Sequence, residues 1–157
     1  MELRARAFSL IELVIVIVII GIIGAIAIPR MSRGAAGAAD SALVADLARL
    51  RNAIDLFHAE HNSTYPAIGD LKNSLTQFSN ETGTAFSVTK DTANGIVFGP
   101  YLREIPKLPV GADKGKDTFV AAYAAGSGWV YDAATGEIRA NCAAAEKDSR
   151  GVAYNTY

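Results

Sequence analysis

Apolar positions along this chain change their rhythm twice. Residues 8–28 read FSLIELVIVIVIIGIIGAIAI, apolar almost without a break, with a single carboxylate, Glu12, near the start. Further on, Leu43, Leu47, Leu50, Ile54 and Phe57 recur at alternating steps of four and three, with Asp46, Arg49, Arg51 and Asp55 between them. That is the stripe of a helix with one face in a core. After the turn NSTYP at 62–66 the pattern breaks into shorter pieces. Residues 70–78 carry Leu71, Leu75 and Phe78 at helical spacing, and 119–122 read as a short strand. Two alternating runs, 128–132 and 137–140, flank a loop containing Gly136 and predict a β-hairpin. Three prolines keep 99–109 out of regular helix and central strand. The expected class is α+β: one long helix whose second half packs on a small antiparallel β-sheet head.

The apolar run is too long for a secretory signal, whose apolar region spans roughly 7–15 residues, and no small-residue cleavage site follows Ile28-Pro29-Arg30. As a helix it would measure about 31 Å, the thickness of the hydrocarbon layer. Its β-branched richness would suit a strand in water, but a lone strand in lipid leaves its backbone groups unpaired, so helix is expected. Arg4 and Arg6 on the short leading side place the amino terminus in the cytoplasm. Pro29 removes an internal hydrogen bond, and Gly34 and Gly37 weaken the next turns. A kink or local melting near Pro29 is therefore expected. A simple juxtamembrane linker stays open as the other reading of this stretch.

Glu12 is the anomaly. A carboxylate deep in a bilayer costs on the order of 2.5–3.5 kcal/mol, less near an interface, and a plain anchor gains nothing from it. The sequence RARA followed by FSLIEL resembles the processing site of type IV prepilins and of the pseudopilins of type II secretion systems. That family has a short basic leader, a cut just before Phe, a Thr-Leu-Ile-Glu continuation and a long apolar helix. The resemblance implies a leader over 1–7, cleavage between Ala7 and Phe8, and N-methylation of Phe8. It departs from the family in Ala7, where Gly is usual, and in Ser9 for Thr. The new amine, with a reference pKa of about 7.7–8, stays cationic at neutral pH. The amine of one subunit can then meet Glu12 of a neighbour in a dry setting, where an unmatched charge is penalised. Glu12 is thus expected to fix subunit register during assembly. The bland alternative is a carboxylate that snorkels to the headgroups.

Composition narrows the remaining classes. In 157 residues, 15 basic and 16 acidic side chains leave no basic field for nucleic acid, which is not expected as a partner. The head has no nucleophile–base set, phosphate loop or metal cluster, so the chain is not expected to be an enzyme. Cys142 is the sole cysteine, which excludes an intrachain disulfide. His58 and His61, three apart beside Glu60, lack a clear further ligand and read as a solvated helix terminus. The sequons at Asn62 and Asn80 are short enough to arise by chance. The segment from Ala143 reads as a polar, loosely held tail.

The order of the head segments, YP turn, GPYLREIP and WVYD…TGEI, looks like the major pseudopilin of type II secretion. The resemblance implies a leader (1–7), a membrane or filament-core half-helix (8–28), an amphipathic continuation (29–60) and a globular periplasmic head (61–157). It implies a homo-oligomeric filament, a prepilin peptidase, an inner-membrane secretion platform, minor pseudopilins and membrane lipid as partners. Many pilus subunits close their carboxy-terminal loop with a disulfide, which this chain cannot form. That weights a secretion filament above a type IV or DNA-uptake pilus; a membrane-anchored periplasmic binding domain is the alternative of another class. No cofactor and no metal site is expected. Calcium stays open, because relatives bind it near the carboxy terminus and Asp113, Asp117 and Asp132 offer oxygen ligands, but lysines interleave the first two.

Overall fold

The protein is described by a computed structural model that covers the backbone of residues 8–157 and the side chains of that range except 28–33. Residues 1–7, expected to form a leader and including Ala7, and the Pro29 side chain lie outside the described residues. Helix α1 runs Leu10–Glu60, 51 continuous residues whose backbone stays helical through position 29. The chain divides into two compact units, Met1–Ala36 and Gly37–Tyr157. The fold is α+β.

In the second unit α1 buries the predicted stripe: Leu43, Leu47, Leu50, Ala53, Ile54 and Phe57 are all in the core. Each of the Leu and Ile side chains contributes about 1.5–3 kcal/mol through burial. The helix stops where Asn62 takes a left-handed conformation (φ 53°) and the Ser63 amide donates back to the His58 carbonyl at 3.0 Å. Asn tolerates that backbone better than most residues, which suits a helix terminus. The solvated histidine pair expected here is corrected for His61. Its ring is buried, stacked on Phe57 at a centroid distance of 3.7 Å. Nδ1 pairs with the Phe57 carbonyl (2.8 Å) and Nε2 with the Ser79 hydroxyl (2.9 Å). His58 stacks on Tyr65 instead.

Helix α2 is Leu71–Thr76, with Leu71 and Leu75 buried. Phe78 does not continue it, because Gln77 is extended (φ −125°, ψ 168°), and falls instead in strand β1 (Phe78–Ser79). β1 pairs antiparallel with β2 (Phe86–Ser87). The second sheet has the order β3 (Phe119–Val120), β4 (Trp129–Tyr131), β5 (Ile138–Ala140). β4 and β5 form the predicted antiparallel hairpin, with Tyr131 opposite Ile138. Gly136 (φ 74°) sits in its turn, where a Cβ would lie 2.3 Å from the Tyr65 ring. β3, however, pairs parallel to β4, so this sheet is mixed. The reason lies in loop 121–128, which doubles back under the Asn141 side chain. Asn141 Nδ2 donates to the Ala124 and Ser127 carbonyls (both 2.7 Å), and Oδ1 accepts from the Ala124 amide (3.1 Å).

β4 turns Trp129 and Tyr131 inward, and each satisfies its polar end against a proline carbonyl. The Trp129 indole donates to Pro106 (2.9 Å) and the Tyr131 hydroxyl to Pro66 (3.0 Å). Two large aromatics thereby hold segments that form no sheet of their own. The proline-rich stretch still supplies Ile105 and Leu108 to the core, with Val110 just after it.

The carboxy-terminal segment corrects the expectation of a loose tail. The Asp148 carboxylate is fully buried. It accepts from the amides of Arg150 and Val152 (both 2.8 Å), Arg150 Nε (2.9 Å) and the Tyr157 hydroxyl (2.5 Å). Asp40 of α1 accepts from the Tyr154 hydroxyl (2.7 Å) and from Ser149 through its amide (3.1 Å) and hydroxyl (2.9 Å). The Tyr157 hydroxyl, then the backbone amides and Arg150, hold the Asp148 carboxyl well below the usual carboxylate range. The Tyr154 and Ser149 donors lower that of Asp40.

Leu47→Ala is expected to cost about 2–5 kcal/mol, while the half-exposed Val44→Ala stays within about 0.5 kcal/mol. Urea unfolding of the full chain in detergent, read by emission of the single, buried Trp129, separates the two. Because Asp40 and Asp148 titrate lower when folded, their stabilisation is present above a pH of about 4, the unfolded carboxylate value, and is lost as pH falls through the folded values. The wild-type urea midpoint should therefore drop as pH is lowered below about 4, and Asp148→Asn should flatten that acid limb.

Candidate functional site

The first unit presents an unusual surface. Every residue from 8 to 23 is exposed, including Phe8 (79 %), Leu10, Ile11 and the unbroken Val/Ile run 14–20. Contiguous apolar patches of this extent on a soluble surface mark a membrane or an assembly interface. Residues Leu10–Ala27 make a helix long and apolar enough to cross a membrane. The stretch contains thirteen Leu, Ile and Val residues. At about −0.3 to −0.6 kcal/mol each for insertion, they outweigh one acidic residue at about 2.5–3.5 kcal/mol. Glu12 therefore adds cost without preventing insertion.

The start of α1 sets the geometry around that charge. Phe8 and Ser9 precede the helix, and the Ser9 carbonyl accepts from the amides of Glu12 (3.1 Å) and Leu13 (3.2 Å) in its first turn. Glu12 thus lies in the first turn and is itself exposed. A carboxylate there complements the partial positive charge at a helix amino terminus. A cationic amine, were one created at Phe8, would meet that same partial charge unfavourably and would need a nearby carboxylate. Phe8 and Glu12 therefore share one helix end; Ala7 lies outside the described residues, and Pro29 sits within the continuous helix.

The three aspartates weighed for calcium are each engaged separately. Asp113 accepts from the Gly126 amide (2.8 Å), Asp117 from Lys72 Nζ (3.0 Å), and Asp132 from the Ala134 amide in the hairpin turn (2.9 Å). Among the described residues no group of three or more His, Cys, Asp or Glu side chains could hold a metal ion. Cys142 is buried, and that burial, with Glu146 and Asp113 nearby, pushes its thiol up to about 12. A thiol so rarely ionised is a poor nucleophile. The residues that sequence reasoning missed are Asp40 and Asp148. The Asp-Ser-Arg-Gly run at 148–151 was the available signal, since Asp commonly binds the backbone two residues on.

Residues 3–28 match the family described as the prokaryotic N-terminal methylation motif. The match takes in Arg4, Arg6, Glu12 and the apolar run. It supports a pilin-like structural subunit, anchored by an apolar helix, with processing by a prepilin peptidase and assembly into a filament. Comparison of the chain with curated proteins and with solved structures finds no match.

Glu12→Ala is expected to leave membrane insertion intact, because it removes only the unfavourable charge, while lowering assembly. Carbonate extraction of membranes reads the first effect and the yield of sheared filaments the second. Normal filament yield beside wild type would remove the register role.

Proposed function

We propose that this chain is the major structural subunit of a type II secretion pseudopilus. It sits in the inner membrane with its amino terminus cytoplasmic and its head periplasmic, and polymerises after removal of residues 1–7 and methylation of Phe8. The filament helps move folded proteins across the outer membrane. The inner-membrane platform, minor pseudopilins and further copies of the chain are its partners, and no catalysis of its own is involved. The observation that carries this reading is the methylation motif running into an exposed apolar helix with one carboxylate in its first turn.

Two features favour the secretion filament over a pilus. The head segments GPYLREIP and WVYD…TGEI resemble those of major pseudopilins. The single Cys142 is buried and free, so the carboxy-terminal region is closed without the disulfide common in pilus subunits. Polar contacts around Asp148 take that place.

Intact mass of the mature protein tests the processing. A chain beginning at Phe8 and heavier by one methyl group is expected, and a chain still beginning at Met1 overturns the proposal. Deletion followed by an export assay tests the machine. Periplasmic retention of exported proteins is expected; unchanged export with loss of surface pili assigns the subunit to a pilus instead.

A further inference from the structure

Between the start of the second unit at Gly37 and the first fully buried core residue, Leu43, α1 has little to hold it. No side chain from Gly37 to Ala42 is fully buried, and Ala39 alone packs partly against the core. Gly34 and Gly37 each lower helix propensity by about 1 kcal/mol relative to Ala. A Cβ at either would meet nothing within 4 Å, so packing does not require glycine there. On these terms the turns 37–42 should fray.

They are met from outside by the carboxy-terminal segment. Asp40 lies in the middle of the weak stretch and takes three hydrogen bonds from Ser149 and Tyr154. The donors are themselves fixed. Tyr154 and Tyr157 pack against the core, and the Tyr154 amide donates to the Glu146 carbonyl at 3.0 Å. The Glu146 carboxylate in turn accepts from the Ala112 amide (2.6 Å) and the Ala143 amide (2.8 Å). Asp148 closes the bend between Ser149 and Tyr157 from inside. Hydrogen bonds to an ionised group are the stronger kind, and three of them converge on a single helical position.

We infer that the segment 146–157 is a strap that holds the helix folded over residues 37–43 by gripping Asp40. The strap sets the position at which α1 becomes rigid. With it docked the helix is firm from Gly37 onward, and with it released firmness begins at Leu43. For a filament subunit, a clause that rests on the proposed function, the strap fixes how far melting of the stalk helix can spread toward the head.

Hydrogen exchange on the full chain in detergent micelles at neutral pH tests this, using Asp40→Ala and Tyr154→Phe. Ala is the best helix former, so propensity alone predicts slower exchange in Asp40→Ala. The strap predicts the opposite sign: exchange at amides 41–44 at least about tenfold faster, from loss of charge-assisted bonds. Tyr154→Phe should move the same amides in the same direction by a smaller factor, with amides 47–57 unchanged in both. Unchanged or slower exchange at 41–44 overturns the strap. So does acceleration extending through 47–57 in Tyr154→Phe, which would mean general loosening. Neither result bears on the mass of the mature chain or on export, so failure here is distinct from failure of the proposed function.

Discussion

An uncovered apolar helix carrying one carboxylate cannot be left in water, and nearly everything informative about this protein follows from what must cover it. Exposed side chains from Phe8 through Ile23 need lipid or other copies of the same helix. Lipid satisfies the aliphatic groups and leaves Glu12 at a loss. Neighbouring helices satisfy both, provided each brings a cation to the right depth. In the proposed function, an amine created at Phe8 would supply one at the helix end where Glu12 already lies. On that proposal the charge discriminates between the two coverings, a burden in the membrane and a contact in the filament.

The head solves a different problem, that of a small core with little sheet. Its strands are two or three residues long, too short to define a layered architecture by backbone pairing. Cohesion comes from the α1 stripe and from Trp129 and Tyr131, whose polar ends reach into proline-bearing segments. Side-chain amides and carboxylates then do what longer strands do elsewhere. Asn141 folds loop 121–128 back so that β3 can lie parallel to β4. Asp148 and Asp40 dock the carboxy terminus. A disulfide would hold the same segment mainly by restricting the unfolded chain. Hydrogen bonds to carboxylates hold it through the folded state, and so respond to pH and to single substitutions.

The strap and the apolar helix meet different physical demands. The helix amino terminus is specified by what lies outside the chain, while the strap is an internal device at the point where the core begins to hold α1. Two glycines that packing does not require precede that point, and three hydrogen bonds converge on Asp40 between them and Leu43. Weak backbone beside a localised brace is an arrangement that confines melting to one stretch of helix.

Several features were legible from the residues alone. The apolar run, Glu12, the stripe Leu43–Leu47–Leu50–Ile54–Phe57, α2 and the Trp129 hairpin all rest on local periodicity or on chemistry within a few positions. Other features were decided only by the tertiary structure. His61 looked solvated because it ends a helix, yet Phe57, one turn earlier, and Ser79, far along the chain, close around its ring. The segment after Ala143 looked loose because it is polar, but its carboxylate finds donors within its own bend and its tyrosine finds one acid 114 residues away. The parallel pairing of β3 depends on a side chain beyond β5. Periodicity reports which face of an element avoids water, and it is written in neighbouring residues. The satisfaction of buried polar groups is a matter of partners distant in sequence, and only folding brings those together.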